Sequence, residues 1–234
     1  MKLRAVIVGV VLVLVVAGAA YAVGFNQAHP FQFDPFRTML VQGAWLSGIG
    51  CPTNATVNDG TTASPFTAGG CPTGDPMDRG TEGLLLAKTG PTTNFASSGA
   101  ILGNVSGITL LELGYDIRKP AGPPDARGSH CGAGAPRFNV TTSDGFWFIG
   151  CNSPGAVVTA TGGGWIRLRW GDGVTPPTGF LNGATLTTVT GTVSSINILF
   201  DEGQDASGGP DEFGLAVLDN IDVNGTLVGK GPSN

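Results

Sequence analysis

Charged residues and histidine are scarce in this sequence. Only 12% of the residues are charged, with 12 Lys and Arg against 17 Asp and Glu, and the two histidines, His29 and His130, form no metal-ligand pattern. The net charge of −5 argues against binding to nucleic acid or anionic lipid, because both need a basic surface. The cysteines are not arranged in the closely spaced pairs that zinc sites use, which argues against a zinc site.

Glycine and proline, by contrast, are abundant. The 234 residues include 39 Gly and 16 Pro, and 41% of the chain is hydrophobic. This composition favours many short strands joined by tight turns, around a core of useful size. We therefore predict an all-β protein with eight to ten strands, folded as an antiparallel β-sandwich that is jelly-roll-like in topology.

The N-terminus has the pattern of a secretory signal. Basic residues at positions 2 and 4 precede an unbroken apolar run over 5–25, which contains the motif Ala20-Tyr21-Ala22. This pattern predicts a signal peptide over 1–22, cleaved after Ala22. The run is also long enough to span a bilayer, so an uncleaved hydrophobic anchor helix is the alternative. In both cases the body of the protein is expected to be extracellular.

The rest of the chain is predicted to form one domain. Residues 23–82 contain aromatic residues without a clear period and then a Gly- and Thr-rich stretch. We expect them to supply an entry strand, or a segment laid across the sandwich edge, followed by a disulfide-tied loop. Residues 83–228 carry the recognisable strands and form the core of the sandwich, and 229–234 form a polar tail.

Four cysteines, Cys51, Cys71, Cys131 and Cys151, stand as two pairs with the same spacing. In an oxidising compartment an even number of cysteines predicts disulfides. The equal spacing favours the pairing Cys51–Cys71 and Cys131–Cys151 over the two other arrangements. Each bond would close a Gly- and Thr-rich loop and stabilise the fold by about 3 kcal/mol in the loop-entropy model.

Alternation of apolar and polar residues identifies several strands. Ile108–Ile117 places Glu112 and Asp116 on the face opposite Tyr115, and the turn at 143–145 predicts a hairpin. Two carboxylates on one strand face can act as a glycosidase pair, although an ordinary solvent-facing strand explains them more simply. Trp147 is expected in the core.

The segment Leu215–Val223 is predicted to be a central strand. A period of two puts Asp219 on the same face as Leu215, Val217, Ile221 and Val223, with Asp222 on the opposite face. That face is expected to be buried, so Asp219 needs a hydrogen-bond partner or a cation.

An acidic loop precedes this strand and holds five carboxylates in 12 residues, from Asp201 to Glu212. Oxygen ligands on a flexible Gly-rich loop suit calcium. We therefore predict a structural calcium site formed from Asp201, Asp205, Asp211 and Asp219. The alternative is a solvated acidic turn.

Trp165, Arg167 and Arg169 share one side of the alternating segment 165–170. Sugars stack on aromatic rings and accept hydrogen bonds from arginine, so this side is a candidate saccharide-binding face. The alternative is an ordinary solvent-facing strand.

The sequence Leu218-Asp219-Asn220-Ile221-Asp222-Val223, within residues 197–224, resembles the closing strand of galactose-binding-like jelly rolls, which include many carbohydrate-binding modules. The resemblance implies a jelly-roll fold and a structural calcium ion held in part by Asp219. The segments 131–140 and 150–152 resemble uncharacterised secreted bacterial proteins, which implies no activity.

Together these features predict a secreted or cell-surface protein that binds without catalysis. Saccharide is the leading ligand class, and the expected partner is an extracellular saccharide or a cell-surface component. A structural subunit of an extracellular layer or fibre is the alternative, with the segment 26–50 pairing to a neighbour's sheet edge. A secreted hydrolase is the third interpretation.

Overall fold

The computed structural model describes residues 24–50, 56–58, 63–65, 82–89, 92, 96–119, 135–162, 165–201 and 213–232. The predicted signal over 1–22, three of the four cysteines, and Asp205 and Asp211 of the acidic loop lie outside these residues. Among the described residues, no helix has the length and hydrophobicity that a membrane span requires.

The described part of the chain is all-β, as its composition predicts. It contains more strands than the eight to ten that we expected, because five short strands of three or four residues form beside the longer ones. The strands are β1 (Gln27–Phe33), β2 (Val41–Leu46), β3 (Thr56–Asn58), β4 (Ala63–Pro65), β5 (Gly83–Thr89), β6 (Ser97–Gly103), β7 (Glu112–Arg118), β8 (Arg137–Thr142), β9 (Gly145–Gly150), β10 (Val157–Gly162), β11 (Trp165–Gly171), β12 (Thr178–Leu181), β13 (Thr185–Thr188), β14 (Val193–Phe200), β15 (Phe213–Val223) and β16 (Thr226–Val228).

Two antiparallel sheets of seven strands form the fold. Sheet A has the order β1-β6-β14-β8-β9-β12-β13. Sheet B has the order β10-β11-β7-β15-β5-β2, and β16 pairs with the end of β15. The strands β3 and β4 form a separate two-stranded ribbon. The inner faces of the two sheets bury a common apolar core, which is the arrangement of a β-sandwich.

The segment 26–50 contributes one strand to each sheet. β1 is the edge strand of sheet A and β2 is the edge strand of sheet B. The Trp45 indole on β2 donates a 2.8 Å hydrogen bond to the carbonyl of Ala28 on β1. A side chain at Gly43 would collide with the carbonyl oxygen of Phe31, so glycine allows the two backbones to approach here. This contact closes one side of the sandwich, whereas the opposite side ends in β10 and β13.

Residues that alternate in sequence alternate between the two faces in the structure. Aromatic rings join the sheets, because Tyr115 of sheet B stacks on Phe138 of sheet A at 5.3 Å between centroids and meets Trp170 edge-on at 5.6 Å. The Tyr115 hydroxyl donates a 2.8 Å hydrogen bond to the carbonyl of Pro136. The larger buried side chains of this core are Leu84, Leu86, Leu113, Tyr115, Ile117, Phe138, Trp147, Ile149, Leu168, Trp170, Ile196, Ile198 and Phe200.

The predicted hairpin and the burial of Trp147 are confirmed. β8 and β9 pair from Arg137 with Gly150 to Thr142 with Gly145, around a turn at 143–144. Cys151, directly after β9, is buried and bonded in a disulfide. The other cysteines lie outside the described residues, so the pairing Cys51–Cys71 and Cys131–Cys151 stays a prediction.

β15 is central in sheet B, as predicted, and Asp219 is 0% exposed. The predicted face is wrong beyond Asp219. The pairing register of β15 with β7 shifts between Asp219 and Asp222, and Asn220 adopts a φ of 44°. This bulge adds one residue, so Ile221 and Val223 point into the core while Leu215 and Val217 pack on the outer face. Asp222 therefore lies on the same outer face as Asp219, not on the opposite one.

Candidate functional site

The outer face of sheet B carries two clusters of buried side chains. A small apolar cluster lies on its strands β5, β11 and β15 and includes Trp165, Leu85 and Val217. Beside it is a group of charged and amide side chains from β7, β11 and β15. We call this group the charge cluster; its members are Glu112, Asp116, Arg167, Arg169, Asn220 and Asp222.

Asp116 is the centre of the charge cluster and has no exposed surface. Arg167 donates to both of its oxygens, from Nε at 2.8 Å and from Nη2 at 2.9 Å. The amide of Asn220 donates a third hydrogen bond at 2.8 Å. The bulge in β15 positions Asn220 for this contact. The hydrogen bonds that Arg167 donates to Asp116 raise the pKa of Arg167, against the effect of burial.

Arg169 lies between three carboxylates. Its Nε is 2.8 Å from Asp222 and 3.9 Å from Glu112, and its Nη2 is 3.8 Å from Asp116. The side chain crosses Gly114, where an added Cβ would collide with Arg169 itself. Burial lowers the pKa of Arg169, although the neighbouring carboxylates counteract it.

The pKa of Asp222 is raised to about 6, because the effects of burial and of the neighbouring Glu112 carboxyl outweigh the lowering effect of Arg169. The charge cluster therefore has a group that titrates near neutral pH. Glu112 and Asp116 share a face, as the sequence predicts, but that face is not solvent-exposed at Asp116. A carboxylate with no exposed surface cannot contact a substrate in this conformation, so the pair does not present an open catalytic cleft.

The predicted saccharide face is not an open surface here. Trp165, Arg167 and Arg169 do share one side of β11, but the indole of Trp165 is only 1% exposed. The two guanidinium groups bind the carboxylates of the charge cluster. The groups that we expected to bind sugar are therefore engaged on sheet B, Trp165 by apolar packing and the two arginines by ion pairs.

The predicted calcium ligands do not come together where they are described. Asp219 lies on the outer face of sheet B and accepts the backbone N–H of Asn220 at 2.6 Å. Asp201 follows β14 and pairs with Arg137 on the outer face of sheet A. Because the sheets of a sandwich are about 10 Å apart, one ion cannot contact both carboxylates. Within the described residues, no group of three or more potential ligands is arranged to hold a metal ion.

The outer face of sheet A is different, because a row of apolar, aromatic and amide side chains crosses it. Register pairs align one residue from each of five strands in a single row across this face. The row consists of Ile101, Asn197, Asn139, Phe148 and Phe180. Ile101 is half-exposed, and the Oδ1 atom of Asn139 has no hydrogen-bond partner among the described residues.

A depression of about 280 Å³ lies at one end of this row. Its size is near the lower limit of about 300 Å³ for small-molecule pockets. Arg137 donates to Asp201 through both Nη atoms, at 2.5 and 2.7 Å, and its guanidinium carbon lies 5.7 Å from the ring centroid of Phe148. The depression is lined by Arg137, Phe148, Gly150, Asn152, Ser153, Phe180 and Gly183.

Sequence reasoning missed this depression. The segment Phe146-Trp147-Phe148-Ile149 is apolar throughout, so alternation does not show which rings face outward. In the structure Trp147 and Ile149 are in the core, and Phe146 and Phe148 meet edge-to-face on the outside, with centroids 4.7 Å apart. The turn signal at 143–145 predicts the hairpin, but which side chains of β9 face outward depends on tertiary contacts.

A larger depression, of about 500 Å³, lies at the turn between β1 and β2 and is lined by Gln32, Asp34, Arg37, Met39, Val41 and Gln42. None of these described lining residues is aromatic. The Asp34 carboxylate accepts hydrogen bonds from Thr38 and Met39 that hold the turn, and backbone hydrogen bonds lower its pKa. The chemistry of this depression is that of a capped turn, so we favour the sheet A depression as the candidate site.

Comparison with protein-family models, with curated proteins and with solved structures found no match to this chain. The fold and the two outer faces define an all-β protein of two antiparallel sheets with a small aromatic depression.

Proposed function

We propose that this protein is a secreted or cell-surface binding protein without catalytic activity, and that its ligand is a saccharide. The observation that carries the proposal is the depression on the outer face of sheet A, where Phe148 and Phe180 lie beside Arg137 and Asn152. Aromatic rings provide surfaces for the C–H faces of a sugar ring, and amide and guanidinium groups bond its hydroxyls. Its small volume suits one or two sugar units.

Location and topology belong to the same proposal. The pattern over residues 1–22 supports export by a signal peptide, or retention by an uncleaved anchor helix. The two antiparallel sheets are compatible with the jelly-roll topology that the resemblance of residues 197–224 implies. Mass determination of the protein recovered from the medium tests cleavage after Ala22, and an intact N-terminus would contradict it.

A glycan-array screen of the mature domain, with and without calcium, tests the saccharide proposal. We expect a small set of related glycans to bind, and binding to fall at least tenfold in Phe180→Ala. Val174→Ala is the matched control, because it also removes an exposed apolar side chain, 81% exposed, but outside the depression. A wild-type protein that binds no glycan, or a Phe180→Ala variant that binds unchanged, would refute the site.

Calcium remains part of the proposal, in a reduced form. The acidic residues Asp205 and Asp211 supply oxygen ligands that suit calcium, and either Asp201 or Asp219 can join them, but not both at one ion. Melting temperature should rise in millimolar calcium relative to chelator, because an ion that binds only the folded state stabilises it by mass action. Equal melting temperatures in both buffers would remove calcium from the proposal.

A structural subunit of an extracellular layer or fibre is the second candidate function. The edge strand β10 favours it, because Val157 and Val158 are 61% and 43% exposed and no charged residue or proline interrupts the strand. Uncharged edges of this kind pair readily with another strand. Concentration-dependent oligomers that Val158→Lys abolishes, seen by analytical ultracentrifugation, would support this function, and a strictly monomeric wild type would exclude it.

A further inference from the structure

The charge balance of the sheet A depression determines which saccharides it can accept. Among the described residues that line the depression, Arg137 is the only one that is charged. An arginine in a binding site ordinarily attracts carboxylates, because its planar guanidinium forms two parallel hydrogen bonds with them. Whether Arg137 can do so depends on its existing partners.

Asp201 already occupies the carboxylate-binding edge of Arg137. Both oxygens of Asp201 accept hydrogen bonds from the two Nη atoms, at 2.5 and 2.7 Å. The side chains are only 13% and 15% exposed, so solvent screens this pair poorly. The guanidinium group also lies over the ring of Phe148. Arg137 is thus held in place and its charge is compensated.

Asp201 also interacts electrostatically with a second cation, Lys88. The charge of Asp201 raises the pKa of Lys88, whereas burial lowers that pKa by more. The Lys88 side chain is buried and does not line the depression. A ligand carboxylate that took the place of Asp201 on Arg137 would therefore separate the Asp201 carboxylate from both Arg137 and Lys88. Breaking such a buried pair costs free energy.

We propose that the depression selects neutral pyranose units and rejects acidic ones such as uronic acids. This inference rests on the proposed saccharide-binding function. A neutral sugar ring stacks on Phe148 and Phe180 and bonds Asn152 without disturbing the Arg137–Asp201 pair. A uronate brings a negative charge next to Asp201, and the one cation among the described lining residues, Arg137, already has a carboxylate partner.

Binding measurements on the wild-type protein alone test whether it prefers neutral or acidic saccharides. Its binding is measured by titration calorimetry with three matched sets of oligosaccharides of equal length, which are glucose and glucuronic acid, galactose and galacturonic acid, and mannose and mannuronic acid. We expect at least one neutral oligosaccharide to bind at least tenfold more tightly than its acidic counterpart. Equal or tighter binding of the acidic member would overturn the inference and leave the saccharide-binding function intact.

A specificity change then tests the mechanism. Asp201→Asn removes the compensating carboxylate, so we expect affinity for the acidic oligosaccharide to rise several-fold and the neutral preference to shrink. Asp172→Asn is the control, because it changes net charge equally at an exposed turn outside the depression. An unchanged preference in a folded Asp201→Asn variant would overturn the role of the pair. If none of the six oligosaccharides binds the wild type, the proposed function itself fails and the inference falls with it.

Discussion

The two outer faces of this sandwich both contain arginine and carboxylate groups, but they use them differently. On sheet B, Arg167 and Arg169 of β11 bind carboxylates of β7 and β15, and the carboxyls of Asp116 and Asp222 are buried. On sheet A a single pair, Arg137 with Asp201, stands next to rings and amides that remain partly accessible. The charge cluster joins strands, whereas the sheet A pair sets the charge of a depression.

This difference shows why arginine and tryptophan in a strand do not by themselves identify a binding face. Trp165, Arg167 and Arg169 have the residue types that bind sugars, but their partners lie within sheet B. Phe148 and Phe180 are less distinctive in sequence, but they lie on a face where, among the described residues, their rings remain partly accessible. Accessibility depends on which elements pack over a face, and that information is not local in the sequence.

Asp116→Ala should have the largest effect on stability. The substitution leaves Arg167 and Asn220 without the acceptor of three hydrogen bonds in a buried setting. We expect a loss of about 3 kcal/mol, at the low end for a broken buried pair because Arg167 keeps some solvent contact. Chemical denaturation measures it. A loss below about 1 kcal/mol would mean that the charge cluster is no more structural than the sheet A face.

Asp222→Asn should change the pH dependence of stability. Because the folded-state pKa of Asp222 is raised to about 6 from 3.8, the proton it binds stabilises the fold below about pH 4 and this contribution is lost as pH rises through 6. Relative to the variant, the wild type should lose on the order of 2 kcal/mol between pH 4 and 7. Denaturation curves of both proteins across this range give the difference directly. A constant difference would show that Asp222 does not titrate there.

Gly114→Ala sharpens the comparison by displacing one side chain. The new Cβ collides with Arg169 and with the carbonyl of Leu168, so Arg169 must leave its position beside Asp222. We expect a loss of about 1–2 kcal/mol, typical of moderate overpacking, together with a stronger pH dependence of the Asp222 kind, because Arg169 lowers the pKa of Asp222. Retained stability and an unchanged pH profile would indicate that Arg169 can reach Asp222 without crossing an unsubstituted Gly114.

Asn152→Ala should have the smallest effect on stability and a clear effect on binding. Asn152 is exposed at the rim of the sheet A depression, so unfolding free energy should change by less than about 0.5 kcal/mol. Affinity for the bound saccharide should still fall several-fold, since a hydroxyl partner is lost. Stability and binding that fall together would contradict the separation of roles between the two faces.

Much of the fold follows from the sequence because strand periodicity is local. The alternation over β7 and β11 and the turn of the β8–β9 hairpin predict the correct inward residues, including Tyr115 and Trp170. The burial and central position of β15 also follow from its apolar residues on both faces.

The bulge in β15 escaped prediction because an uninterrupted period of two continues through Asp219 to Val223. Asn220 is the one available signal, since asparagine tolerates the left-handed backbone conformation better than most residues. The site was less predictable than the fold, because Phe148 lies in a run of apolar residues and Phe180 lies near a turn. Their proximity arises from the pairing of β9 with β12, which no local pattern encodes.

The central position of β15 also determines when this protein can fold during its synthesis. β15 lies between β5 and β7, although it follows both of them by a long stretch of chain. Until residue 223 has been made, the facing edges of β5 and β7 have no partner, and such pairing over long sequence distances is slow. Unpaired edges are prone to aggregate. A chain that stalls or is truncated before β15 therefore cannot complete sheet B, and the folding of this sheet must wait until β15 has left the ribosome.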